Sequence, residues 1–517
     1  MTNPRALPFL LFFAVAVACG DDEPRPDPEP DPQPQPEPEP EPDPCPAPGR
    51  VVGEVCLPPG VADDGCPAGT LGQPDGTCRP AGILAGACAD GFAHVPFESQ
   101  LDGADGVAGT CEAILPAAPC DDGSFAVPGE ASCHPVGDCG TGQWGNIPVD
   151  QDTVYVDASF VGVSDGSAAA PFTTIADAIA AAPAGGLVAV AAGSYAEDVT
   201  IAGKAVVVQG VCAEQVEISG AAAAAAVTIS TGATGTTLRG LAVRGAGRGV
   251  QVEDATDVLL SELWIHDGGN TAVFVTGETG PTTVRVERSS IDANVGYGVV
   301  AVGAEVEIEQ SAVRRTQERP DGTAGQGILT TTTTEGAPGS LILRRALIEQ
   351  NHDIGVFLYG SSALVEGTVV RDTETDTAGI GGEGIVAGQH QDLGLPADLA
   401  VRRSVVEQSK GVGISVTGSS ALIEDTVVRD TELQAQGAGR GIVVQNSQVT
   451  GDASTATIMT SVVEDSFFTG LFVGGSQATV ESTVVRRTKQ AALDQGRGVN
   501  VQRNASTSEP SVFVLRG

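Results

Sequence analysis

Positive charge is scarce: 27 Lys and Arg face 66 Asp and Glu, only Lys204, Lys410 and Lys489 are lysines, and the net charge is -39. A chain so acidic repels polyanions, which excludes nucleic acid as a partner. Long apolar runs are missing too. After residue 20 nothing approaches the roughly 18–20 apolar residues of a membrane-spanning helix. No C-x-x-C spacing occurs, and His94 and His134 are the only histidines near the cysteines, so zinc is weakly supported. Apolar residues make up 41% of the 517 residues, enough for a sizeable core, so the chain is not disordered throughout.

The N-terminus has a single Arg in Met1 to Pro8, a short apolar run from Phe9 to Ala18, and then Cys19. Ten apolar residues suit a secretory signal rather than a membrane helix. Ala16-Val17-Ala18-Cys19 resembles the lipobox of bacterial lipoproteins, which implies a signal peptide at 1–18 and lipidation of Cys19. The expectation is an exported protein held by lipid on the cell envelope, at the outer membrane or cell surface. Residues 19–44 follow as a stalk, in which proline alternates with Asp, Glu or Gln from Pro24 to Pro44, interrupted by Arg25. Such a segment stays extended in polyproline II and reaches up to about 65 Å at about 3.1 Å per residue.

Ten further cysteines form an even set in a Gly- and Pro-rich exported segment, which implies disulfides. Four segments of residues 45–140 look alike and suggest Cys45 with Cys56, Cys66 with Cys78, Cys88 with Cys111, and Cys120 with Cys133. Cys139 and Cys212 remain, as a bridge to the next region. Spacing alone does not determine connectivity.

From residue 153 the chain becomes repetitive. The motif SSALIEDTVVRDT (419–431) is nearly repeated at 361–373 and 476–488. Short apolar runs such as SAVRRT, ALIEQN and TVVRDT start at 311, 346, 368, 404, 426, 461 and 483, steps that alternate between about 22 and about 35 residues. A second series (GILT at 327, GVFL at 355, GIVA at 384) and a third (Leu343, Val365, Val401, Ile423) run beside the first. Three short β-branched runs per 22 residues, separated by turn residues, read as three strands and three turns. A unit this small cannot close its own core, so successive copies must stack.

This pattern over 153–517 resembles the right-handed parallel β-helix of pectate lyases and their relatives. The opening YVDASFVGVSDGSAAAPFTTIADAIAAAPAGGLVAVAAGSYAEDVTI is similar to that of pectin methylesterase-like proteins, and implies a cap helix near 174–182. The expected fold is all-β, with coils of about 22 residues alternating with coils of about 35, preceded by a small disulfide-rich module. Fold does not supply activity.

Outward residues after each core position read Asp292, Arg314, Glu349, Arg371, Glu407, Arg429, Glu464 and Arg486; a second row reads Glu309, Arg344, Glu366, Arg402, Glu424, Met459 and Glu481. With coils about 4.8 Å apart, alternating signs attract. Both rows are expected to be exposed ladders that set register, each pair contributing about 0–1 kcal/mol. Lyases of this fold use Arg or Lys beside calcium-binding carboxylates, but catalytic groups form one asymmetric cluster, whereas these recur coil after coil.

Other candidates are weak. ELWIHD (262–267) faintly resembles a pectate lyase signature with His266 and Asp267 transposed, and the polygalacturonase elements NTD, GHG and RIK are absent. No carboxylate pair for glycoside hydrolysis can be assigned. His352 and Asp353 read as turn residues. Asp157 and Asp165 could bind calcium or make ordinary Asp turns; no other cofactor is implied.

The extra residues of the long coils flank the GxxV strand, where relatives build a substrate groove. Its outward positions include Phe274, Leu329, Phe357, Val386, Val443 and Phe472. This apolar row suggests a binding face for a surface protein or for sugar rings, unless loops bury it. The leading expectation is therefore a non-enzymatic, lipid-anchored surface protein with an adhesive face. The alternative is a polysaccharide lyase, hydrolase or epimerase with its site in the long loops. Leu515-Arg516-Gly517 matches Val401-Arg402-Arg403, so an uncapped last coil with an exposed strand edge is also expected, either pairing with something or marking a truncated sequence.

Overall fold

The computed structural model describes residues 78–97, 108–221, 224–434, 439–490, 496–503 and 510–516, with short strands at 50–52, 55–57 and 70–72. Cys19, the signal and stalk segments, and the side chains of the suggested Cys45–Cys56 and Cys66–Cys78 bridges lie outside the described residues. The chain divides into Met1–Cys56 and Leu57–Gly517; all that follows concerns the second unit.

From Val154 onward it is a right-handed parallel β-helix. One coil shows how the sequence builds it. In Ser340–Arg344, Leu341 and Leu343 turn inward and are buried, while Ile342 between them faces outward. A single residue in the left-handed region, Arg345 at φ +48°, turns the corner into Leu347–Glu349, and Gln350 at φ +55° ends that strand. The third strand, Ile354–Tyr359, buries Val356 and Leu358. Alternation of period two thus aims one row of aliphatic side chains into the interior at every strand.

Among the described residues, the first two strands of each coil build one sheet of 24 strands, and the third strands build a second of 12. Register follows the apolar row: Leu343 pairs Val365, which pairs Val401, then Ile423, Ile458 and Val480. Each fully buried Val, Leu or Ile contributes about 1.5–3 kcal/mol by leaving water. Serine and threonine hydroxyls take corner amides of the preceding coil, as Thr368 Oγ1 does from Ala346 at 3.3 Å and Ser461 Oγ from Thr426 at 3.2 Å. A short helix, Ile175–Ala181, covers the first coil with Ile175, Ala178 and Ile179. Thr174 caps it, and the Glu197 carboxylate accepts from Ile175 and Ala176 at 2.7 and 3.0 Å. In the last coil Leu515 pairs with Val480, and Val499, Val512 and Leu515 are exposed.

The disulfide-rich segment lies along the solenoid. Cys88–Cys111, Cys120–Cys133 and Cys139–Cys212 are bonded, in agreement with the pairing suggested by the similar segments. Its side chains Ile83, Phe97, Phe125, Val127 and Val136 pack on an outward row of Leu347, Val369, Val405, Val427 and Val462. In each TVV-type strand one apolar residue faces the interior and its neighbour faces this strap. Gly82 N–H donates to Ser482 O at 2.8 Å near the far end, while Gly123 lies beside Trp264 near the other. The strap therefore crosses about eight coils, roughly 40 Å at about 4.8 Å per coil.

This position corrects one expectation. The row Arg314, Glu349, Arg371, Glu407, Arg429, Glu464 and Arg486 is in register and alternately charged, but it is not an exposed ladder, because the strap covers it. Arg371 pairs Glu349, Arg429 pairs Glu407, and Arg486 pairs Glu464, each at 2.7 Å. Glu349, Glu407 and Glu464 are buried. The Arg486 guanidinium lies 4.0 Å from the Phe97 ring centre. The second row remains solvent-facing, with Arg402 and Glu424 at 3.4 Å and both partly exposed.

Candidate active site

The long coils place their extra residues on both sides of the 12-stranded sheet and build two walls. Loops 317–325, 374–382 and 432–434 precede the strands; loops 332–339, 389–397 and 446–454 follow them. Alternate loops reach over the short coil between them. Thr377 Oγ1 donates to Glu318 at 3.0 Å on the first side, and Gln389 Nε2 donates to Asp452 at 2.7 Å on the second. The two-coil period thus sets loops on both sides of the outward face of Gln326–Thr331, Ile354–Tyr359, Glu383–Gly388 and Val412–Thr417, which is the candidate groove floor.

The predicted apolar face does not survive as an open surface. Val386, Val443 and Phe472 are buried, and Val412, Val443 and Phe472 form a cluster of their own. The Arg248 guanidinium lies 3.7 Å from the Phe274 ring centre, and Arg440 lies 4.8 Å from that of Phe472. Neighbouring coils and arginine stems cover the row; Leu329 and Phe357 remain half-exposed.

Carboxylates converge instead. Asp353 begins a short coil between two long loops, and is 8% exposed. Gln326 Nε2 donates to its carboxylate at 2.9 Å, and Gly381 lies against that carboxylate so closely that a Cβ there would collide with it. The Asp353 carbonyl accepts from the Gly382 and Glu383 amides at 2.6 and 3.0 Å, which ties the loop end to the short coil. Glu383 opens the next strand. Glu318 is almost buried, bonded to His352 Nδ1 at 3.3 Å and to Thr377. Asp376 takes the Ile380 amide at 2.7 Å.

Burial pushes the Asp353 carboxyl up to about 6, opposed by the Gln326 hydrogen bond and reinforced by Asp376 and Glu318. Burial, then the Asp353 charge, pushes Glu383 up to about 7, with Arg440 opposing. Burial holds the Arg440 guanidinium below its ordinary value. Two acids near neutrality beside each other can exchange donor and acceptor roles. Neither residue repeats along the solenoid, unlike the ladders.

The remaining candidates are occupied elsewhere. His266 is buried beneath the strap, stacked on Trp264 at 3.7 Å and bonded to Asp267 at 2.8 Å. Asp157 accepts from Ser159 and Gln143, and Asp165 from the Ser167 amide, as turn residues. Among the described residues no three His, Cys, Asp or Glu are grouped to hold a metal ion.

His352 and Asp353, which read as turn residues, are thus part of the cluster. A signal for Asp353 was present in the sequence. The residue before each third strand is Gly296, Gly325, Asp353 and Gly382 in consecutive coils, at φ +83°, +99°, +58° and +75°. Aspartate enters the left-handed region more easily than most residues, so it can stand where these neighbours use glycine and add a carboxylate there. Glu383 carried no such mark, since its column also contains Tyr297, Gln326, Ile354 and Val412.

No family model and no curated protein matches the chain. Solved structures similar to it include a pectate lyase, at 13% identity and TM-score 0.36 over 66% of this chain and 80% of that one. Another is a GH87 α-1,3-glucanase from Streptomyces thermodiastaticus, at 16% and 0.46 over 71% and 68%. A third is a mannuronan C-5 epimerase module from Azotobacter vinelandii, at 13% and 0.43 over 64% and 92%. At such identities the likeness concerns the fold. All three are named as polysaccharide-active enzymes. With the apolar row closed and the carboxylates gathered, the expectation of a non-enzymatic adhesion protein is withdrawn.

Proposed function

We propose that the chain is a polysaccharide-active enzyme that hydrolyses a neutral glycan in the groove between the loop walls. The observation that carries this reading is the packing of Asp353 among Gln326, Gly381 and the first residue of the next strand, Glu383, on a coil flanked by two long loops. Burial and the neighbouring Asp353 charge favour the protonated form of Glu383, while the Gln326 hydrogen bond favours the ionised form of Asp353. Glu383 then donates a proton to the glycosidic oxygen, the bond to the anomeric carbon breaks, and Asp353 takes a proton from the attacking water.

Charge favours a neutral substrate over a uronate. Abstraction of a proton beside a carboxylate requires a cation to neutralise that carboxylate. Here Lys410 is engaged by Glu374 at 2.8 Å, and Arg440 is half-buried against Phe468 and Phe472. The carboxylates of Glu318, Asp353 and Asp376 would repel a polyuronate.

Export is part of the proposal, with Cys19 as the lipid anchor; the three disulfides support an oxidising compartment.

The test is hydrolysis of a panel of neutral glucans, mannans and xylans beside pectate and alginate, by the purified protein and by Asp353→Asn and Glu383→Gln. The expected result is release of reducing ends from a neutral polymer, reduced about 10²–10⁴-fold in either variant. Cleavage confined to uronates, or full activity in both variants, would sink the reading.

A further inference from the structure

Aromatic residues are only 4% of the sequence, yet three rings meet on the groove floor away from the carboxylates. Phe357 and Tyr359 are on the strand that Asp353 opens, and His390 comes from the opposite wall. The ring centres of Phe357 and Tyr359 are 5.6 Å apart, and those of Tyr359 and His390 are 4.3 Å apart at 31°. All three side chains are half-exposed.

The rings are held in place. The Tyr359 hydroxyl accepts from the Gln391 amide at 2.8 Å, and the His390 amide donates to Leu395 O at 2.8 Å. Gln389 anchors the same loop to Asp452. The register partner of Tyr359 in the next coil is Gly388, where a Cβ would meet the Phe357 ring at 3.3 Å. Its missing side chain leaves the Phe357 ring uncovered from that side. On the same floor Phe274 and Phe472 have arginines over them.

We propose that Tyr359, with Phe357 and His390 beside it, forms a sugar-stacking subsite that sets the length of glycan the groove prefers. This rests on the hydrolase reading above. The flat, apolar C–H face of a pyranose matches an aromatic ring in shape and polarity, and a fixed ring loses little entropy on binding. Six residues separate Asp353 from Tyr359, about 20 Å at about 3.3 Å per residue. The sugar on Tyr359 is therefore not the sugar at the carboxylates, and a short oligosaccharide cannot reach both.

The test compares kcat/KM for a long and a short neutral substrate. In Tyr359→Ala the long-to-short ratio falls roughly three- to tenfold, and Tyr359→Phe, which keeps the ring, restores it. A second arm needs no turnover: Asp353→Asn protein is retarded in native gels containing the polysaccharide, and adding Tyr359→Ala weakens that retardation. If the ratio and the retardation are both unchanged in Tyr359→Ala, the subsite is refuted while the hydrolase reading stands. If the ratio in Tyr359→Phe falls as far as in Tyr359→Ala, the hydroxyl and its loop matter rather than the ring, which also overturns the proposal. Wild-type turnover in Asp353→Asn overturns the catalytic reading alone, since the gel still reports on the ring. Absence of both retardation and cleavage with every glycan overturns both.

Discussion

Arg314 and Asp292 form an ion pair at 2.8 Å with both side chains 1% exposed. Arg314 also donates to the carbonyls of Cys120 and Ser124 at 2.9 and 2.7 Å, so the pair fastens the disulfide-rich strap to the solenoid. A buried pair carries a large desolvation cost, and removing one partner leaves a charge uncompensated. Arg314→Ala should lower the unfolding free energy by about 3 kcal/mol, the low end of the usual range because Arg315 still holds Asp292. Urea unfolding checks it; a loss no larger than that from Arg402→Ala, in the solvent-facing row, would contradict the burial argument.

The Cys139–Cys212 bridge closes a separation of 73 residues and joins the end of the strap to an early coil. Replacing both cysteines by serine should cost about 2–5 kcal/mol, chiefly by freeing the unfolded chain. Denaturant midpoints of the double variant and of wild type under reducing and oxidising conditions measure this. Wild type insensitive to reductant and equal in stability to the variant would be the opposing result.

Acidic pKa values raised by burial make stability fall with pH. At about pH 3 and below, Asp353 and Glu383 are largely protonated in both states, and the folded chain bears no charge penalty. Between about pH 3 and 7 the unfolded chain releases protons that the folded chain keeps, so the stability contribution is lost as pH rises through about 6 and about 7. Asp353→Asn and Glu383→Gln should therefore be more stable than wild type at pH 8, on the order of 1–3 kcal/mol, and nearly equal to it at pH 3. Equal offsets at both pH values would show that the burial penalty is absent.

Gly381 at φ +77° rests against the Asp353 carboxylate. Alanine there must strain the backbone and push the carboxylate aside. Gly381→Ala should cost about 1 kcal/mol or more of stability and lower kcat, with the activity optimum shifted in pH as Asp353 becomes better solvated. An unchanged pH profile would mean that the carboxylate does not respond to this contact.

Much of the fold was legible because a stacked coil repeats its own constraints. Leu343, Val365, Val401 and Ile423 occupy one interior row, and a period-two pattern sustained over many coils admits few alternatives. The alternating charges of Arg371, Glu407 and Arg429 were legible for the same reason. Their burial was not, because the strap that covers them is remote in sequence. A hint existed in the paired valines of each TVV run: one faces the core, and a second, outward valine requires cover.

The candidate site was less legible, because its residues come from unlike places. Asp353 lies in a short coil, Glu318 and Asp376 in two long loops, and Glu383 at a strand start. Only its side chain distinguishes Asp353 from Gly296, Gly325 and Gly382 at the same position of neighbouring coils. By itself the sequence determined the coil, its register and the sides on which the loops emerge, since local alternation and turn chemistry act on neighbouring residues. Tertiary structure alone decided that the strap closes one charged row, that arginines and neighbouring coils close the apolar row, and that Glu318, Asp376 and Glu383 come near Asp353. Those outcomes depend on groups distant in sequence excluding water from one another, and burial of that kind has no local signature.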